Sequence, residues 1–161
     1  MKKMNLKKML TMAIATMMAI STMSISVMAK EVITYDSGVK MTIYETKEEF
    51  DRVMPRTVNM TFSTTLTSSL QYLRSLQTAS EIMTLSGDET ELVVIFDESP
   101  RSMLYTTLYD VTSGTYLINN SGPYYQNYAV TYSDLPKTHK FKLGYRTASG
   151  TCSISGTVNS Y

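Results

Sequence analysis

An all-β, two-layer antiparallel sandwich of jelly-roll type is the fold this sequence predicts, on three observations. Short alternating or continuous apolar stretches recur at roughly ten-residue spacing, turn-forming residues separate them, and straight-chain helix formers are scarce. A single sheet cannot bury its apolar face alone, so seven to nine such strands must pack as two layers. The chain has 161 residues, 43% of them apolar, enough for one ordinary domain.

Residues 1–29 stand apart from that body. Lys2, Lys3, Lys7 and Lys8 precede an uncharged apolar run from Met9 to Ile20, and a polar Ser/Thr segment leads to Val27-Met28-Ala29. This is the three-part layout of a secretory signal peptide, and it predicts cleavage after Ala29. An uncleaved anchor is the rival, because residues 9–29 carry no charge and ~20 residues cross a bilayer. Thr11, Thr16, Ser21, Thr22, Ser24 and Ser26 dilute that run, leaving an unbroken apolar part of about a dozen residues, a signal-peptide length. The expectation is a secreted, extracellular protein, bacterial in the style of its leader, with no membrane contact after cleavage.

Within the remainder, residues 30–56 read as an N-terminal strand and short helix, and residues 57–161 as the sandwich. Val39–Tyr44 alternates as a strand. Thr46-Lys47-Glu48-Glu49 has the spacing of a capping box, Phe50, Val53 and Met54 supply an apolar stripe, and Pro55 ends the helix. Val58–Phe62 alternates again. Leu66, Leu70, Leu73 and Leu76 fit helical spacing, but Tyr72 and the Ser/Thr context suit an irregular strand, and periodicity leaves both open. Glu81–Leu85 is a strand, Gly87–Thr90 a turn, and Leu92–Phe96 a continuous apolar run of the kind buried on both sides. Met103–Val111, Tyr116–Ile118 and Tyr124–Tyr132 follow, separated by Thr112-Ser113-Gly114 and Asn120–Pro123. Lys140–Arg146 and Cys152–Val158 complete the set, joined at Ala148-Ser149-Gly150 as a predicted hairpin.

From Leu92 to Val158 these patterns fall in a recognisable order. A buried strand is followed by Leu108-Tyr109-Asp110-Val111-Thr112-Ser113-Gly114, then an aromatic strand through Tyr128 and Tyr132. Asp134-Leu135-Pro136 leads into Phe141-Lys142-Leu143-Gly144-Tyr145, and Ser149-Gly150 into Ile154-Ser155-Gly156-Thr157-Val158. This half of the body resembles the small jelly-roll domains found beside secreted bacterial peptidases, the pre-peptidase C-terminal type. The resemblance implies secretion and an accessory role in binding or in holding other domains. The chain departs from it in carrying no catalytic domain.

Charge and composition exclude several function classes. Without the four leader lysines, 11 basic residues face 14 acidic ones, a net −3. That balance argues against a nucleic-acid or anionic-membrane binder, which needs a basic footprint. One Cys and one His supply too few ligands for a structural zinc site or a disulfide framework, so no metal or cofactor is expected. Asp88, Glu89 and Glu91, and Asp97 with Glu98, are acidic turns without a D-x-D-x-D calcium loop. Leu135-Pro136-Lys137-Thr138-His139 approaches a sortase signal, but its fifth residue is His and no apolar retention segment follows.

No catalytic residue is predicted. His139 reads as an exposed loop histidine, and no G-x-S-x-G elbow accompanies it. Cys152 shares its strand face with Ile154 and is expected to be buried. Tyrosine is the informative residue type, with 12 in the body of the protein. Alternation places Tyr124, Tyr128 and Tyr132 on one face, where flat amphipathic rings could stack on a sugar or meet a protein, although strands also use tyrosine to fill cores. The leading expectation is therefore a secreted, non-enzymatic binding module with an extracellular glycan or protein partner. An extracellular hydrolase using His139 and a self-assembling surface or matrix protein are the alternatives.

Overall fold

The computed structural model describes residues 31–51 and 58–161, and there the chain is an all-β sandwich of two antiparallel sheets with one short helix. The strands are β1 (Glu31–Thr34), β2 (Lys40–Tyr44), β3 (Val58–Leu66), β4 (Gln71–Tyr72), β5 (Met83–Thr84) and β6 (Leu92–Phe96). They continue with β7 (Leu104–Asp110), β8 (Thr115–Tyr124), β9 (Ala129–Ser133), β10 (Lys140–Thr147) and β11 (Cys152–Ser160). The helix, α1, covers Lys47–Asp51. The expected signal-peptide cleavage point and Val53, Met54 and Pro55 lie outside the described residues.

Sheet A has the order β1-β2-β9-β6-β11-β3, and sheet B the order β4-β10-β7-β8, with β5 also paired to β10. Without β1, β2 and β5, the order reduces to four strands in sheet A (β9-β6-β11-β3) and four in sheet B (β4-β10-β7-β8). From β6 onward the chain passes between layers: β6 in A, β7 and β8 in B, β9 in A, β10 in B, β11 in A. This is jelly-roll winding, in which each sheet hides the other's apolar side.

Strand alternation decides what is hidden. In β10, Phe141, Leu143, Tyr145 and Thr147 are buried, while Lys140, Lys142, Gly144 and Arg146 take the outward positions. In β6, Leu92, Val94 and Phe96 join the core, whereas Val93 packs in a second cluster with Phe50 of α1. Each buried large side chain contributes about 1.5–3 kcal/mol. β6 and β11 approach so closely that a Cβ on Gly156 would run into the Ile95 carbonyl oxygen, so only glycine fits there. Between the layers, the hydroxyls of Tyr132 (β9) and Tyr145 (β10) meet at 2.8 Å, giving each buried phenol a partner. Burial pushes both phenols well above their ordinary ionisation range.

The capping box forms as its spacing predicts. The Glu49 amide donates to Thr46 Oγ1 at 3.3 Å, and Glu49 Oε2 accepts from the backbone amides of Glu45 and Thr46. The Leu66–Leu76 stretch is not helical. β3 ends at Leu66, β4 occupies two residues, and Leu66 and Leu73 are buried while Leu70 and Leu76 are exposed.

Several expectations are corrected, among them the break at Asn120–Pro123, which lies inside β8. Ala148-Ser149-Gly150 does not close a hairpin: β10 pairs with β4, β5 and β7, and β11 with β3 and β6. A short turn between two alternating runs reads the same whether it joins sheet neighbours or crosses between layers. β7 and β8 do form a hairpin, which a turn over Val111–Gly114 closes. Tyr124–Tyr132 is not one strand, because β8 ends at Tyr124 in sheet B and β9 begins at Ala129 in sheet A. An additional strand, β1, pairs antiparallel with β2 at the edge of sheet A.

Candidate functional site

The change of sheet between Tyr124 and Ala129 scatters the three tyrosines singled out in the sequence. Tyr132 is 0% exposed in the core. Tyr124 packs partly buried against that core, with its hydroxyl 3.3 Å from Ser121 Oγ. Tyr128 lies on the opposite side of sheet A, its ring centroid 6.3 Å from that of Phe50. Alternation holds only within one strand, so the shared face of Tyr124, Tyr128 and Tyr132 does not exist.

A different set of tyrosines does share a face. β7 directs Leu104, Thr106, Leu108 and Asp110 inward, leaving Tyr105, Thr107 and Tyr109 on the outside of sheet B. Register then builds the surface laterally. Tyr109 stands opposite Lys142 on one side and Tyr116 on the other, Thr107 opposite Gly144, and Gly144 opposite Tyr72. Tyr105 stands opposite Arg146.

These neighbours hold one another. The rings of Tyr109 and Tyr116 are tilted at 54° with centroids 4.9 Å apart. Lys142 Nζ lies 5.4 Å from the Tyr72 ring and 3.0 Å from Glu81 Oε2. The Arg146 guanidinium sits 3.7 Å from the Tyr105 ring centroid, and its Nε donates to Asn120 Oδ1 at 2.5 Å. Partial burial pushes the Tyr72 phenol up to about 12, reinforced by its hydrogen bond to Tyr116 and by the nearby phenols and Glu81. Gly144 makes the arrangement possible. A Cβ there would stand 2.9 Å from Leu70 Cδ1 and 3.0 Å from Tyr72 Cδ1, so the missing side chain lets both lie down on β10. The result is a firm aromatic surface edged by cations, with Tyr116 still 52% exposed.

His139 is not a free loop residue. Its Nδ1 lies 2.7 Å from Oδ2 of Asp110, a carboxylate buried at the end of β7. Asp110 also accepts from the Ser113 hydroxyl at 2.6 Å and from the backbone amides of Thr112 and Ser113. Burial alone would raise its pKa, but the bonds from Ser113, His139 and the two amides outweigh that and hold it below the usual carboxylate range. Ser, His and Asp therefore do meet, in the wrong order for a triad. Ser113 and His139 both address Asp110 Oδ2, whereas a nucleophilic serine must bond the imidazole. The cluster ties the β7–β8 turn to the segment entering β10.

Cys152 is buried on the Ile154 side, as expected from alternation. The acidic turn at Asp88 and Glu89 is engaged within the protein. Glu89 Oε2 accepts from the Ser86 amide at 2.7 Å, and Asp88 pairs with Lys137 at 2.8 Å. Among the described residues, no group of three His, Cys, Asp or Glu side chains is placed to share a metal ion. A cleft of about 620 Å³ opens between β3 and the segment around β5, floored by Met60, Met83, Leu92 and Val158. None of the residues singled out as binding or catalytic candidates lines it.

The signal that could have found the outer face of sheet B was present in part. Tyr105 and Tyr109 are four residues apart on one alternating strand, which fixes their common side. The contributions of Tyr72, Tyr116 and Gly144 depend on strand pairing. Scanned against protein-family models the chain matches none, and a search of curated proteins returns no relative.

Proposed function

We propose that this protein is a secreted, non-enzymatic binding module whose ligand surface is the outer face of sheet B. One observation carries the reading: Tyr72, Tyr105, Tyr109 and Tyr116 lie together on that face, outside the core. Tyrosine offers a flat apolar ring and a hydroxyl at low entropic cost. Here the rings are already restrained by stacking, by cation contacts and by the bare floor at Gly144, so a ligand would pay little for ordering them. The partner class is an extracellular glycan or protein, and no cofactor or metal enters the reading. The Asp110–His139 contact is read as structural, because it closes a turn.

The test is glycan-array and pull-down binding by the full chain and by a Tyr109→Ser/Tyr116→Ser variant. The wild-type protein should retain a ligand that the variant loses by about ten-fold or more, with a melting temperature lowered by no more than roughly ten degrees. Retention of full affinity by the folded variant would move the binding surface elsewhere. A His139→Ala variant should leave binding intact.

A further inference from the structure

The charge on this face differs in sign from that of the protein's body, residues 30–161. After the leader the chain is net −3, yet β10 carries Lys140, Lys142 and Arg146 at outward positions. Outward positions repeat about every 7 Å, so Lys140 and Arg146 span roughly 20 Å of one strand. Only Glu81 answers them among the described residues, pairing with Lys142 and, at 3.9 Å, with Arg74. No described carboxylate forms an ion pair with Arg146 or Lys140. Arg146 is moreover pinned by Tyr105 and Asn120, with its position set before any ligand arrives. A planar guanidinium held in this way is a ready partner for a carboxylate or sulfate.

The backbone narrows the ligand further. β10 is an interior strand whose main-chain groups are taken by β4 and β5 on one side and β7 on the other. A peptide cannot add to β10 as a strand, so recognition at its cations falls to side chains. A nucleic acid calls for a broadly basic footprint, which one cationic strand on a body of net −3 does not give. An extended chain of sugar rings bearing acid groups matches both halves of the surface, since its ring faces suit Tyr109 and Tyr116 and its charges suit β10.

We infer that the ligand of this face is an acidic polysaccharide, stacked on the sheet B tyrosines with its carboxylate or sulfate groups met by Arg146 and Lys140. This rests on the binding-module reading above. The experiment measures affinity of the full chain for two matched pairs: polygalacturonate against its carboxyl-reduced form, and dextran sulfate against dextran. An acidic member should bind about ten-fold or more tightly than its neutral twin, and added salt should weaken it. Arg146→Gln/Lys140→Gln and Tyr109→Ser/Tyr116→Ser should each remove that binding. Lys137→Gln should not, because Lys137 pairs with Asp88 outside this strand.

The outcomes separate the two claims. Equal binding of acidic and neutral members, still lost in the tyrosine variant, overturns the acidic inference and leaves the tyrosine face standing. Binding that survives the tyrosine variant overturns both. Failure to bind any of the polymers overturns the acidic inference and turns the search to protein partners. Equally tight binding of oligothymidylate or of phosphatidylserine vesicles also overturns it, since the polymer class would then be wrong.

Discussion

The outer faces of the two sheets use tyrosine in opposite ways. On sheet A, Tyr44 and Tyr128 surround Phe50 of α1, with centroids 5.6 Å and 6.3 Å away, over Val93 and Ala129. On sheet B, Tyr105, Tyr109 and Tyr116 stand beside Lys142, Arg146 and Thr107, and no described helix crosses them. The difference lies beneath the rings. Aliphatic outward residues make a sheet face that must be covered by another element. On sheet B, by contrast, Thr107 and Gly144 are shielded by the face's own side chains, and Lys142 and Arg146 keep their charges at the surface while rings and stems supply apolar contact. A face that needs no cover can remain available to a ligand.

The largest effect should come from stripping the covered face. Phe50 is 1% exposed, and Phe50→Ala would remove the ring that Tyr44 and Tyr128 pack against. A loss of about 3–5 kcal/mol is expected in denaturant unfolding. A loss below about 1 kcal/mol would mean that α1 is a loose appendage and that the faces differ less than their packing implies.

The open face depends instead on its rim. Asp110 secures the β7–β8 turn, and Asp110→Asn should cost about 1.5–3 kcal/mol at neutral pH by weakening charge-assisted bonds from Ser113 and His139. Because its folded pKa lies below the ordinary 3.8, the carboxylate's contribution is complete above that value and is lost as pH falls through the folded pKa. The wild type should therefore show a steeper acid loss of stability than the variant. Parallel acid profiles would show that Asp110 is not the group responsible.

A third setting for tyrosine lies between the faces. Tyr132→Phe would leave the Tyr145 hydroxyl without the phenol it meets at 2.8 Å, at a cost of about 1–2 kcal/mol. The double variant with Tyr145→Phe should cost less than the sum of the single changes, because the orphaned group disappears with its partner. Strict additivity in thermal or denaturant unfolding would deny that the two hydroxyls act as a pair across the layers.

What the sequence made legible follows from range. The Thr46–Glu49 box, the buried run Leu92–Phe96 and the alternation of β10 are local patterns, and each appears where its spacing places it. Cys152 and Ile154 share a side for the same reason. The layer change between Tyr124 and Ala129 is invisible to a period of two, and it misassigned Tyr124, Tyr128 and Tyr132. Gly144 and Gly156 look alike in sequence, yet one leaves room for Leu70 and Tyr72 and the other for the Ile95 carbonyl. Close approach of distant strands decides both. The candidate face was missed because Tyr72, Tyr109 and Tyr116 come from three strands, while the densest tyrosine cluster lay elsewhere.

The smallest expected effect on stability is the one that best sharpens the comparison. Tyr116 is half exposed, stacks on Tyr109 and reaches Tyr72. Tyr116→Ser removes those contacts without opening a core cavity, so unfolding should change by about 1 kcal/mol or less. Its ligand affinity should nonetheless fall, since the ring supplies stacking area that serine cannot replace. Phe50→Ala should show the reverse, a large loss of stability with binding retained by the molecules that remain folded. If Tyr116→Ser instead destabilised the protein as much as Phe50→Ala, the outer face of sheet B would be a structural surface, and its exposed rings would lose their claim to a ligand.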